Sequence, residues 1–283
     1  MIQSEKTLLV NSLSMVIPFR NRPVDVFEVA LKSLELQTRQ PDEVILVDIA
    51  SVEPYYSDMK TLCDEYGVTH IPIKIDASDK AIEVFLWNTC FNHGVRSAKS
   101  DLVMYAAMDR LYEKNMVETV IDFYNWNANR GRESLICSTV WNLHRKPMMS
   151  EVAAPEKLIA EAKYRGGYGY WCSSKEWIHK VRGLDESIRW YEDLDMARRM
   201  KLDKGDVLWV SQGRAQKHIG QISRVIHLAD HPVGRKAHKG DGIIPIAQRG
   251  KHGLSKNFEI IRNDETWGIL TEEKIVKARS YDD

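Results

Sequence analysis

Apolar residues recur along the first half of this chain in two alternating rhythms. Leu13 to Pro18 is a short continuous apolar run closed by Phe19-Arg20-Asn21-Arg22-Pro23, a pattern that predicts a buried strand. From Val26 to Gln37 the spacing becomes helical, with Phe27, Ala30, Leu31 and Leu34 on one face. The rhythm then repeats. Glu43–Asp48 predicts a strand, Met59–Tyr66 a short helix, His70–Ile75 a strand and Ala81–Ala98 a helix. Leu102–Met108 predicts a fourth strand ending at Asp109, followed by a helix over Met116–Trp126 and a strand over Ser134–Val140. Strands alternating with helices predict an α/β fold built on a mostly parallel, doubly wound sheet. Such sheets bind ligands outside the carboxyl ends of their strands, and Arg20, Asp48 and Asp109 all fall at those ends.

The second half is less regular. Tyr164–Trp171 reads as a Gly/aromatic loop, Ser174–Val181 as a short helix, Gly183–Glu186 as a turn and Asp206–Val210 as a strand. Residues 232–255 are rich in Gly, Lys, Arg and His without periodicity, and a mobile loop is expected there. Between the turn and the last strand lies Trp190-Tyr191-Glu192-Asp193-Leu194-Asp195, three carboxylates in four positions ahead of an Arg-bearing helical pattern. Acids at a helix N-terminus are stabilised by its partial positive charge. The two aromatic faces beside them also suit a sugar or base, and a carboxylate there can take a proton from a hydroxyl.

Composition adds a charge asymmetry. The chain has 283 residues, 43% hydrophobic and 28% charged, with no net charge. Between Arg198 and Lys256, however, thirteen Lys/Arg face four Asp/Glu, a surplus of nine, and five of the nine His fall in the same segment. A local basic surface attracts phosphate-bearing ligands, although a solvated basic face has the same composition. No apolar run is long enough to span a bilayer, and no leader pattern precedes Asn11, so a soluble cytoplasmic protein is expected. Cys63, Cys90, Cys137 and Cys172 form no CxxC pair, so reduced thiols are expected rather than a disulfide framework or zinc knuckle.

In combination these segments resemble the GT-A fold glycosyltransferases, family 2 and its relatives above all. The resemblance is carried in order by Val16-Ile-Pro-Phe-Arg-Asn-Arg-Pro23, by Leu34 to Ser51, by Asn92-His-Gly-Val-Arg-Ser-Ala-Lys-Ser-Asp101, and by Val181 to Ser187 followed by Glu192-Asp193-Leu-Asp195. It covers roughly residues 13–230. Ser223-Arg-Val-Ile-His227 is further similar to an element of polypeptide N-acetylgalactosaminyltransferases in which the His binds metal. Ile226 to Pro232 is similar to the His-rich C-terminal segment of galactosyltransferases.

The resemblance implies a Rossmann-like GT-A domain over 1–230, with a nucleotide-binding half to about 150 and an acceptor half from 151. Residues 231–283 would form an irregular lid and tail. It implies a nucleotide-diphosphate sugar donor, UDP-sugar first, transferred as a hexose or N-acetylhexosamine. Pro18, Phe19, Arg20, Asn21, Asp48, Asn92 and Arg224 would bind the nucleotide or its phosphates, with Asp76 a further nucleoside contact. Lys236, His238 and Lys239 are additional phosphate candidates in the lid. Asp109 and His227 would hold Mn²⁺, with Mg²⁺ the alternative, although Asp109-Arg110-Leu111 lacks the second acid of the family's metal motif. Arg110 could supply that positive charge itself. Asp193 would be the catalytic base and Glu192 an acceptor contact, while helical spacing lets Asp195 either cap the helix or pair with Arg198 or Arg199. Trp190 and Tyr191 would stack on the acceptor, and Tyr168, Tyr170 and Trp171 would line the donor sugar.

The acid pair favours inversion, whereas the likeness around His227 points to retaining enzymes. A catalytically weak nucleotide-sugar-binding relative is the other alternative, resting on the incomplete metal motif. A nucleotidyltransferase ranks below both, since its Gly-rich loop is missing after the first strand. The acceptor is open: a saccharide is favoured, and a nucleic acid would also suit the basic segment.

Overall fold

The computed structural model describes residues 9–75, 87–188, 192–228, 259–272 and 274. In chain order the elements are β1 (Leu13–Phe19), α1 (Val24–Glu35), β2 (Glu43–Ile49), α2 (Tyr55–Tyr66), β3 (Thr69–Ile73), α3 (Trp87–Ser97), β4 (Leu102–Tyr105) and β5 (Arg110–Tyr112). There follow α4 (Met116–Ala128), β6 (Ser134–Leu143), α5 (Met149–Val152), α6 (Pro155–Glu161), β7 (Lys163–Ser174) and α7 (Lys175–Lys180). The last are α8 (Glu192–Leu202), β8 (Asp206–Trp209), α9 (Gly213–Ile219) and β9 (Val225–Leu228).

The strands form one sheet in the order β3-β2-β1-β4-β7-β6-β9-β5, with β8 also paired to β6. β1 lies parallel to both β2 and β4, and β2 parallel to β3. Chain order therefore reverses at β1, which places the crevice expected of doubly wound sheets beyond Phe19 and Tyr105. β1 is buried along its whole length, as a central strand covered on both faces should be. One face packs Phe27 and Leu31 of α1, Met59 of α2 and Phe123 of α4 into a single core. The other packs Phe91 and Val95 of α3, Trp177 of α7 and Met196 and Met200 of α8.

Local signals set several boundaries. α2 stops at Gly67, left-handed at φ 65° with its N–H donating to the Cys63 carbonyl. α7 is capped by Ser174, whose hydroxyl accepts the Trp177 N–H at 3.0 Å. Gly94 has a packing reason: a Cβ there would lie 2.4 Å from Val16 Cγ1 and 2.9 Å from Val47 Cγ2. The glycine of the Asn92-His-Gly94 motif thus lets α3 approach β1 and β2.

Three expectations change. Tyr164–Trp171 is not a loop but lies within β7, antiparallel to β4 and β6. Its glycines form an irregularity inside a strand rather than a turn. The fourth strand ends at Tyr105, three residues early, because the chain then turns into β5. β5 and β9 were not anticipated: at three and four residues they are too short to display a period.

Residues 229–258, including the expected lid with Lys236, His238 and Lys239, lie outside the described residues, as do Asp76 and residues 81–86. Residues 259–272 are docked on the body. Trp267 is buried, the Arg96 guanidinium donates to its carbonyl at 3.0 Å, and Gly268 N–H donates to Glu186 Oε1 at 2.6 Å. All four cysteines are free and buried. No helix among the described residues is long and apolar enough to cross a membrane.

Two stability outcomes are expected. Gly94→Ala overpacks the α3–sheet contact and should cost about 1–3 kcal/mol. Trp267→Ala removes a buried aromatic and should cost about 3–5 kcal/mol. Urea unfolding followed by tryptophan fluorescence or circular dichroism measures both.

Candidate active site

At the carboxyl end of β1, register pairs Phe19 with Asp48 of β2. Pro18 and Phe19 are buried, Phe19 completely, so their side chains support the crevice rather than line it. The Arg20 guanidinium donates to the Ile49 carbonyl at 2.9 Å. Asn21, at φ 44°, donates its N–H to Ser51 Oγ at 3.0 Å and accepts the Val52 N–H on Oδ1 at 2.8 Å. The loops after β1 and β2 are thereby interlocked. Asp48 is 1% exposed: Oδ1 accepts the Ser51 N–H at 3.1 Å and Oδ2 lies 3.2 Å from His70 Nε2. Its carboxylate shapes this loop from within, with His70 as a partner that no motif or spacing singles out.

The structure brings Asp109 and His227 together across 118 residues. β9 pairs antiparallel with β5, setting His227 opposite Arg110, and His227 Nε2 lies 3.2 Å from Asp109 Oδ2. His227 Nδ1 lies 3.1 Å from Asn142 Oδ1 and 3.4 Å from Arg165 Nη1. Burial holds the imidazole below its ordinary pKa; Asp109 opposes this, and Arg110 and Arg165 reinforce it. A neutral ring donates from one nitrogen only. With Nε2–H the ring donates to the Asp109 carboxylate; with Nδ1–H donated to Asn142 the Nε2 lone pair faces that carboxylate, and a cation can lie between them. An octahedral ion with bonds near 2.1 Å sets adjacent ligands about 3 Å apart. Asp109 and His227 therefore fit as two neighbouring ligands, with Asn142 orienting the imidazole from behind. No group of three or more His, Cys, Asp or Glu suited to a metal occurs among the described residues. The remaining positions would fall to ligand oxygens and water.

The acid pair opens α8. Glu192 and Asp193 are half-buried, and the Leu194 N–H donates to Asp193 Oδ1 at 2.7 Å. Burial, then the charge of Asp193, pushes Glu192 up to about 7. Burial also raises Asp193, against its backbone hydrogen bonds. One side chain links this pair to the Asp109 end. The Tyr105 phenol is raised first by burial, then by Glu192 and further by Asp193, while Arg110 opposes. Tyr105 accepts the Trp87 Nε1–H at 2.7 Å and stacks on Trp171 at 5.7 Å between ring centroids. Neither Tyr105 nor Trp87 carried a sequence signal beyond being aromatic.

Other expected site residues have structural roles. Asn92 is fully buried, donating to the Leu184 carbonyl at 2.9 Å and accepting its N–H at 2.7 Å, which fixes the turn before α8. Arg224 grips Glu113 through Nη2 at 2.8 Å and Nε at 3.2 Å, tying the entry of β9 to the exit of β5. Tyr170 and Trp171 are 1% and 0% exposed and belong to the core, because they lie in a central stretch of β7. They cannot stack on a ligand. Tyr168 is half-buried against Trp209 and feels the charge of Asp193. Asp195 pairs Arg199, as expected, at 2.8 Å with both side chains 0% exposed. Trp190 and Tyr191 lie outside the described residues. A cleft of about 740 Å³ lies at the opposite end of the sheet, beside Ser100, Asp101, Glu133 and Ser174, and contains none of the expected site residues.

No family model and no curated protein matches the chain. Among solved structures it is similar to S. aureus TarS, with a TM-score of 0.52 and 11% identity over 77% of this chain and 37% of that chain. It is also similar to TarS 1–349 in complex with UDP, with a TM-score of 0.51 and 10% identity over 76% of this chain and 60% of that chain. The chain thus spans less than two thirds of either structure. The fold is a mixed α/β architecture on a largely parallel sheet, consistent with the GT-A type.

Because folding raises the Glu192 pKa, the native state binds more protons than the unfolded chain between about pH 4.5 and 7. Stability should therefore fall as pH rises through that window. Glu192→Gln should flatten this fall, which Tm measured from pH 4 to pH 8 will show.

Proposed function

We propose that this chain is a glycosyltransferase moving a sugar from a nucleotide-diphosphate sugar to an acceptor hydroxyl with inversion. A single observation carries the reading: beyond the strands of a doubly wound sheet, an Asp–His pair stands at 3.2 Å and two carboxylates that burial shifts upward open α8. UDP is the first nucleotide to test, since a structure of similar fold was solved in complex with UDP.

Paired acids whose environments differ divide into proton donor and base. Glu192, at about 7, retains a proton near neutrality. Asp193, held by the Leu194 N–H, is then the ionised partner. Asp193 takes the acceptor hydroxyl proton as that oxygen bonds to the anomeric carbon. The bond from that carbon to the diphosphate oxygen breaks, and its electron pair leaves with the diphosphate. Glu192 holds the acceptor through a second hydroxyl. Asp109 and His227 would hold Mn²⁺, or Mg²⁺, whose charge favours departure of the diphosphate. Tyr168 flanks the transferred sugar.

One observation favours a binding protein without turnover: the described residues bring only two metal-type ligands together. UDP affinity without release of sugar from any nucleotide sugar would decide for that reading.

Asp193→Asn should lower turnover about 10²–10⁴-fold, the usual worth of a general base, while calorimetric UDP affinity is retained. Wild-type turnover in that variant would remove Asp193 from the role. His227→Ala should raise the Mn²⁺ concentration needed for half-maximal activity, and a proton NMR spectrum of the product's anomeric centre reads the stereochemistry.

A further inference from the structure

A row of side chains crosses four strands beside the Asp–His pair. Lys163 of β7 stands opposite Asn142 of β6, Asn142 opposite His227 of β9, and His227 opposite Arg110 of β5. Residues directly opposite one another share a face of the sheet. Arg165, two positions along β7 from Lys163, joins the same face, as its contact with His227 shows. The row thus aligns Lys163, Arg165 and Arg110 on the face of the sheet that carries His227.

Two features separate this row from an ordinary solvated basic surface. The first is the backbone. Register passes from Thr139 opposite Tyr168 to Trp141 opposite Tyr164, so residues 165–167 of β7 stand against Val140 alone. Gly166 and Gly167 both take φ 77° to make this bulge. Bulges re-aim side chains beside functional sites, and this one sets Arg165 over His227. The second is burial. The Arg110 side chain is only 14% exposed, its nearest carboxylate contact is Asp109 Oδ1 at 3.6 Å, and Nη1 has no hydrogen-bond partner among the described residues. A guanidinium withdrawn from water without full hydrogen bonding is costly; an anion delivered to the row would satisfy it. Arg165, exposed at the start of β7, has its Nη1 3.4 Å from His227 Nδ1, and its remaining guanidinium donors face the same end of the row.

We propose that Arg110, Arg165 and Lys163 form a phosphate-binding row that extends the Asp109–His227 pair toward the exposed start of β7. Guanidinium forks match phosphate oxygens in pairs, and the lysine adds a point charge at the outer end. This deepens the functional reading above by naming the ligand chemistry at that end. The phosphate could be the diphosphate of the donor or a phosphoester carried by the acceptor; both present the same oxygens to the same side chains.

The test is calorimetry on the full chain in the presence of a chelator, so that no metal contributes. The probes are inorganic pyrophosphate, UDP and glycerol 3-phosphate, compared between the wild type and the Arg165→Gln, Lys163→Gln double variant. Both side chains are exposed, so Tm should be unchanged and loss of binding will not reflect unfolding. Loss of charge-assisted hydrogen bonds should weaken at least one probe about tenfold or more. Weakened UDP assigns the row to the donor diphosphate. Weakened glycerol 3-phosphate with unchanged UDP assigns it to an acceptor phosphate. Weakened pyrophosphate, with UDP binding no tighter than pyrophosphate in the wild type, keeps the row and removes the nucleotide reading. Affinities unchanged for all three probes, or no binding of any probe by the wild type, would overturn the proposal.

Discussion

Asp195 has no access to solvent, and the acidic helix is held in place through it. Its carboxylate sits 2.8 Å from Arg199 Nε one turn along α8 and 3.6 Å from Arg262 Nη2 in the C-terminal segment. Arg199 is fully buried as well and donates onward to the Gly183 carbonyl at 2.8 Å and the Val181 carbonyl at 3.2 Å. Such a group is hard to rearrange. Removing one partner of a buried ion pair strands the other charge in a low-dielectric interior, at a cost of about 3–5 kcal/mol. The cluster thereby fixes α8 against the turn at 181–183 and against residues 260–262. The two carboxylates at the start of that helix inherit its position.

The same turn is held from its other side. Asn92 satisfies Leu184 through both its N–H and its carbonyl, and Glu186 receives Asn92 Nδ2, the Gly268 N–H and the Lys274 ammonium. A motif that reads as nucleotide-binding in the sequence is therefore part of a scaffold that aims Glu192 and Asp193. This scaffold surrounds two chemically opposed ends. The α8 end is acidic, and burial there raises the pKa of both carboxylates. The β5–β9 end is cationic, and burial, reinforced by Arg110 and Arg165, lowers the pKa of His227 there. Tyr105 lies within reach of both.

Much of the frame was legible in the residue order. The strands β1, β2 and β4, the helices α1 and α4, and the acids Asp48, Asp109, Glu192 and Asp193 at their ends follow from apolar period and from where it stops. The pairing of Asp195 with Arg199 follows from helical spacing. Legibility failed where the signal was too short or too ambiguous. β5 and β9 are shorter than one readable period, yet they bring His227 to Asp109. Gly166 and Gly167 read as a turn, and only strand pairing on both sides shows that they form a bulge. Tyr170 and Trp171 read as a platform, because aromatic side chains serve cores and binding surfaces alike.

The sequence by itself determined which segments alternate, which face of each helix is apolar, and which chemical groups stand at the strand ends. These are local properties, encoded in spacing along the chain. Tertiary structure alone decided how those groups are used. Asp48 faces His70, Arg224 closes on Glu113, Asn92 holds a turn, and Asn142 and Arg165 meet His227. Each of these outcomes depends on register between strands distant in sequence and on how much water is excluded between them. Burial separates a surface carboxylate from one that keeps its proton near neutrality, and no periodicity in the chain records burial at a helix end.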